Sequence, residues 1–248
     1  MLTKTLQSLA LGFLVLIQAS STSGRVVTRL VNDINGAVTK CQGDKSCFPD
    51  MNSNSSWILA FRGTAAIGKP VYPAYVDGTG LPKRIQKGCM QVGQNLPCSN
   101  HFRNNTVLDN WKNISEVALV IYKNSTPVHH VIFNGSSSTY MTWMDKNKIE
   151  STSWVDIYNN SANYFGIFGH QENAMRRTFF MNHNYGTCPN DQGWFVAVDN
   201  ILGDCMWEQT PKFPMFKYST GNIMINWNEA KTDHAEYFAV FVKYNKST

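Results

Sequence analysis

"EVALVIYKNSTPVHHVIF" (residues 116–133) decides the fold class. Its first part, "EVALVIYK", is a continuous apolar run of strand length, as expected for a strand buried on both faces. Asn124, Ser125, Thr126 and Pro127 then supply turn chemistry. "VHHVIF" resumes the β pattern directly, so the two segments should form a hairpin.

Working outward, the same pattern recurs. In "WILAFRGTAAIG" (residues 57–68), Trp57, Leu59 and Phe61 alternate with Ile58, Ala60 and Arg62 before a small-residue turn. "TFFMN" (178–182), "GWFVAVD" (193–199) and "EYFAVFVKY" (236–244) read as further strands between clusters of Gly, Asn, Pro and Asp. No long amphipathic helix stands out; "ENAMRR" (172–177) has material for a turn or two. Short strands separated by polar turns argue an all-β, antiparallel β-sandwich, jelly-roll-like, with the closing strand pairing near the first. Aromatic residues, 12% of the chain, would fill the layer between the sheets.

The ends carry different information. Lys4, an apolar run from Leu9 to Ile17 and small residues from Ala19 to Gly24 describe a secretory signal peptide over residues 1–24. That run is shorter than the ~20 residues of a membrane span. Residues 25–55 read as a polar lead-in with a small disulfide loop, and 56–248 as the sandwich domain. The expected location is secreted and extracellular, with no membrane span. Six cysteines suit an oxidising compartment. They fall into sequential pairs, and the preferred pairing is Cys41–Cys47, Cys89–Cys98 and Cys188–Cys205; their spacing leaves other connectivities open.

Charged residues make up only 16% of the chain, against ~25% in typical soluble domains. Solubility must draw on something else. Asn-x-Ser/Thr acceptors stand at Asn54, Asn104, Asn113, Asn124, Asn134, Asn159 and Asn245, so a heavily glycosylated surface is expected. Of these, Asn124 is the least secure, because Pro127 follows its Thr126. The net charge of +5 comes without a Lys/Arg cluster, which gives no nucleic-acid footprint.

Catalytic constellations are missing. "AFRGT" looks like the oxyanion strand of a class of secreted lipases. Such enzymes need a G-x-S-x-G nucleophile elbow, and in the nearest stretch, "FGHQEN", Gln171 stands where the serine would. There is no H-E-x-x-H, and the adjacent His129 and His130 should point to opposite faces of a strand. The expectation is no enzyme, no catalytic residue, no metal site and no cofactor, with calcium kept as the alternative. Hard cations take several loop oxygens, and Asn190 and Asp191 sit in a turn with Asp199 and Asp204 beyond. Asp191, Asp204, Trp207 and Glu208 are the candidate ligand loop. Trp111, beside Asp109 and Asn110, and Trp207, beside Glu208, are the aromatics that a sugar site would use, unless both are core. If the loop is structural, Asp191 and Glu208 should be replaceable at little cost. Gly186 is the residue expected to need positive φ.

Longer phrases carry a resemblance. "SWILAF", "VLDNW", "VALVIYKN", "NYFGIFG", "RRTFFMNHNYGTCPNDQGWFVAVD" and "DCMWE" occur in that order. Together they resemble the uncharacterised skeletal organic matrix protein-like family of secreted invertebrate proteins, found with coral skeleton and in molluscs. The family's pattern FF-N-x-x-YG-x-C-x-x-D-x-GW is met by Phe179, Phe180, Asn182, Tyr185, Gly186, Cys188, Asp191, Gly193 and Trp194. The resemblance implies a place in an extracellular matrix and in biomineralization. It implies no catalytic residue. This chain has no Asp/Glu run of the kind that binds mineral directly. The expected function is a secreted, non-enzymatic glycoprotein, structural or adhesive in a matrix that includes a calcified skeleton or shell, with matrix proteins or glycans as partners. The alternative is a lectin-like or calcium-dependent recognition module.

Overall fold

The computed structural model describes residues 56–172 and 175–245. The expected signal peptide, the expected lead-in with its Cys41–Cys47 pairing, and Asn54 lie outside the described residues.

Among the described residues, twelve strands form two antiparallel sheets. The first is built from β1 (Ile58–Thr64), β2 (Phe102–Arg103), β3 (Ile114–Lys123), β4 (Thr126–Asn134), β5 (Ile149–Thr152) and β12 (Tyr237–Tyr244), in the order β2-β1-β12-β3-β4-β5. The second holds β6 (Tyr164–Gly166), β7 (Arg177–Asn184), β8 (Gln192–Val198), β9 (Met215–Ser219) and β11 (Thr232–Ala235), in the order β11-β9-β8-β7-β6. The short β10 (Ile225–Asn226) pairs with β8. Two short helices, α1 (Val71–Val76) and α2 (Asn105–Leu108), follow β1 and β2. Most consecutive strands are neighbours. The closing strand β12 returns to lie between β1 and β3, where Ile58 faces Val242 and Val117 also faces Val242.

The hairpin read from the sequence is present. Lys123 pairs with Thr126, and Asn124 and Ser125 both take positive φ (50° and 57°), as a two-residue primed turn requires. Val117 to Tyr122 are all buried, since β3 has a strand on either side and covering on both faces. Val117, Leu119 and Ile121 face the layer between the sheets. Sequence reading missed α1, α2 and several short strands, because elements of two to six residues are too brief to show a period.

Phenylalanines knit the interior. Phe238 of β12 lies 4.8 Å from Phe179, 4.9 Å from Phe216, 5.6 Å from Phe195 and 6.0 Å from Phe61, centroid to centroid. Three of these partners belong to the second sheet, so one ring bridges both layers. His129 and His130 do point to opposite faces. His129 stacks on Trp154 at 4.6 Å, while the Nδ1 of His130 is 3.0 Å from Ser153 Oγ.

Each sheet also has a covered outer face. On the first, Tyr122 and Tyr237 stack at 4.5 Å, with the Arg62 guanidinium 3.8 Å above Tyr237. Arg62 Nη1 donates to Gly88 O (2.9 Å) and to Gln91 O, and Gly93 N donates to the Tyr237 hydroxyl at 2.9 Å. These bonds hold the loop that the Cys89–Cys98 disulfide closes. On the second sheet, Phe180, Val196, Val198, Met215, Trp207 and Trp227 form a separate apolar cluster beside Cys205.

Phe238→Ala should therefore open a cavity between the sheets and cost about 3–5 kcal/mol. Denaturant unfolding would measure it, and a loss under about 1 kcal/mol would contradict the bridging role.

Candidate functional site

The segment from Cys188 to Glu208 carries the four candidate ligand residues that sequence reading marked. The disulfide brings the two Cα atoms within 5.2 Å and closes a separation of 17 residues. Such a closure stabilises by about 3 kcal/mol through the unfolded chain. The loop covers the outer apolar cluster of the second sheet, and Arg177, at the start of β7, rises from that sheet beneath it.

Arg177 is fully buried, as are Asp191 and Glu208. A charge so placed must be paired and hydrogen-bonded. Glu208 meets the guanidinium side-on, with Nε donating to Oε1 at 2.6 Å and Nη2 to Oε2 at 3.0 Å. Nη1 lies 3.2 Å from Asp191 Oδ2. Glu208 Oε2 also accepts the Cys205 N–H at 2.9 Å, which closes the turn at Met206–Glu208. The Trp207 and Tyr185 rings lie over the guanidinium at 4.7 and 4.9 Å. Close backbone approach makes this possible. A Cβ on Gly203 would stand 2.2 Å from that of Glu208, and one on Gly193 would meet Asn182 Oδ1 and Trp227 Cζ2, each at 2.6 Å.

Charge balance in this triad is uneven, with one cation for two carboxylates. Burial pushes the Asp191 carboxyl up to about 6, against the pull of Arg177, and the neighbouring Glu208 pushes the same way. For Arg177, burial works against the charge, but Glu208 and Asp191 outweigh it and hold the guanidinium charged above its usual range.

The four candidate ligand residues therefore do not form an open site. Asp191 and Glu208 are spent on Arg177, and Trp207 is 6% exposed, packed 5.6 Å from Trp227. Asp204 alone of the four is exposed. Asp199 serves elsewhere: its Oδ1 and Oδ2 accept the N–H groups of Val71 and Tyr72 at 2.7 and 2.8 Å, fastening the start of α1. Among the described residues no group of three or more His, Cys, Asp or Glu is placed to hold a metal ion. Asp191 and Glu208 are both buried partners of a buried charge, a setting that the expectation of cheap replacement did not include. Gly186 does not take positive φ; Thr187 does, at 85°. Sequence reading missed Arg177 altogether. Its only signal was an arginine at the edge of "TFFMN", which reads as a strand-end cation facing solvent.

Several residues of the quoted motif meet at this centre. Tyr185 covers the guanidinium, Asp191 pairs with it, Cys188 closes the loop, and Asn182 Oδ1 accepts from Trp227 Nε1 at 2.9 Å. Phe195 packs against Phe238 across the interior, and buried Trp194 donates to Asp156 Oδ1 at 2.8 Å.

The fold and this centre define a disulfide-bonded β-sandwich with a buried ion triad under a closed loop. No protein family, curated protein or solved structure matches the chain.

Removing Arg177 should be costly. Arg177→Met strands two buried carboxylates and should lose about 3–5 kcal/mol. Glu208→Gln breaks the two-point contact and should lose about 2–3 kcal/mol, while Asp191→Asn relieves surplus negative charge and should lose about 1 kcal/mol. Denaturant unfolding gives the ranking; Asp191→Asn proving the worst of the three would refute this assignment.

Acid should destabilise the fold. Burial lowers His101, His129 and His130 to about 4. The unfolded chain, with histidines near ~6.5, takes up protons that the folded chain refuses, so stability falls as pH drops from there towards 4. Asp191 and Asp199, raised to about 6 by burial, work the other way, gaining stability as pH falls from 6 to their unfolded range. Three histidines against two carboxylates leave a net loss. The melting temperature at about pH 4.5 should lie below that at about pH 7, and His130→Asn should shrink the difference. A flat profile would show that the histidines are not held neutral.

Proposed function

We propose that this chain is a secreted glycoprotein that serves a structural or adhesive role in an extracellular matrix. The observation that carries the reading is where the polar chemistry goes. The carboxylates of the candidate loop turn inward to brace the second sheet. The surface instead offers asparagine acceptors: Asn113, Asn124, Asn134, Asn159 and Asn245 are all exposed. Two disulfides suit an oxidising compartment, and no helix among the described residues is long and apolar enough to cross a membrane. A rigid sandwich, closed by disulfides and covered in glycans, suits a component that must persist outside the cell. Its partners would be matrix proteins or matrix glycans. The motif from Arg176 to Asp199 supports a matrix of the calcified kind, where such a protein would act through neighbouring molecules more than by its own carboxylates.

A lectin-like role is the second reading. One observation favours it: Trp111 is half-buried and lines an open cleft, unlike Trp207.

Secretion from a eukaryotic host followed by glycopeptide mass spectrometry tests the first reading. The five exposed asparagines should carry glycans. Asn104 should be the exception, because it is half-buried and its amide donates to Leu59 O at 3.3 Å. Secreted protein without any glycan would refute the proposal.

A further inference from the structure

Trp111 and Asn113 line one cleft of about 200 Å³ at the start of β3, together with Ile114, Gly135, Ser138 and Asn245. The indole is fixed at its edge: Nε1 donates to Ser138 Oγ at 3.2 Å, and that hydroxyl donates to Gly135 O at 2.6 Å. Two residues on, Asn113 takes the left-handed conformation (φ 56°), and its carbonyl accepts the Asn245 N–H at 2.8 Å. An asparagine tolerates that conformation better than most residues. Asn113 is thus held at its own carbonyl, and the indole two residues before it is held at Nε1. Its side-chain amide is exposed and makes no hydrogen bond among the described residues, in contrast to that of Asn104.

We propose that the first sugar of an N-glycan on Asn113 seats on the Trp111 indole in this cleft, making that glycan part of the folded structure. This rests on the glycoprotein reading above. The chemistry is complementary. The acceptor Asn113-Ile114-Ser115 is intact, and its asparagine lines the cleft beside the indole. A pyranose has one face of C–H bonds, which an aromatic ring takes out of water, and an edge of hydroxyl and amide groups. Ser136, Ser137 and Ser138 line the cleft to meet that edge. The attachment residue lines the cleft, so a sugar on it meets the indole without the entropy loss that a free sugar would suffer. The occupant is therefore a glycan of this chain and not one from outside.

The test is a double-mutant cycle on secreted, glycosylated protein, with occupancy at Asn113 measured by mass spectrometry. Asn113→Asp removes the acceptor and keeps a residue that tolerates left-handed backbone. It should lower the melting temperature by about 2–4 °C in the Trp111 background. In Trp111→Ala it should cause no further change, and in Trp111→Phe, which keeps an aromatic face, most of the drop should return. In protein made without glycosylation, Asn113→Asp should be neutral. Trimming the glycan to one sugar should leave the melting temperature as it was. Equal drops in the Trp111 and Trp111→Ala backgrounds, or no drop at full occupancy, would overturn the inference. An empty Asn113 beside occupied acceptors elsewhere would overturn it too, and leave the glycoprotein reading standing. Protein with no glycan at any acceptor would bring down that reading itself.

Discussion

A guanidinium with no exposure to water cannot exist alone, and that constraint shapes the whole second sheet. Arg177 needs Glu208 on one edge and Asp191 on another. Asp191 precedes β8 and Glu208 follows Cys205, and both must be brought to β7 to reach it. They can be, because the Cys188–Cys205 disulfide ties the two segments together, Gly203 lets Glu208 approach, and Glu208 itself ties down the Cys205 N–H. Trp207 and Tyr185 then cover the charge, and Trp207 joins Trp227 over the outer face of the sheet. A purely apolar cover of the same volume would be as stable or more so. What the ion triad adds is position, since a two-point contact between planar groups admits one orientation.

The first sheet follows the same plan with different bonds. Arg62 takes the place of Arg177, Tyr237 supplies the aromatic face, and the disulfide is Cys89–Cys98. Here no carboxylate among the described residues forms an ion pair with the cation, although Glu236 acts on it from farther off. Its Nη1 donates to the carbonyls of Gly88 and Gln91, and burial lowers its pKa. Both sheets thus have an interior face, filled by phenylalanine, and an exterior face, sealed by a disulfide loop anchored on a buried arginine.

The long strands were legible because their signal is local. An apolar run such as "VALVIY" can be satisfied only by burial on both faces, and an Asn-Ser-Thr-Pro stretch between two such runs reads as the turn of a hairpin. The local cysteine pairs were legible for a related reason: short separations favour closure, and both pairs among the described residues form as read. Acceptor asparagines are written in three residues each.

The buried centre was not legible, and the reason is physical. Whether Asp191 and Glu208 face a ligand or an arginine depends on a residue up to 31 positions away, brought near only by strand pairing and loop closure. The same carboxylates in the same turn would read alike in either case. Burial also changed their setting, from turn carboxylates to partners of a buried arginine, and gave Asp199 the task of fastening α1. Sequence alone determined that this chain makes a disulfide-bonded β-sandwich with asparagine acceptors, because periodicity, spacing and three-residue motifs are properties of neighbours along the chain. Tertiary structure alone decided which polar groups turn inward and which indole stays open to the surface, because the free energy of a charge or a ring is set by what surrounds it in space.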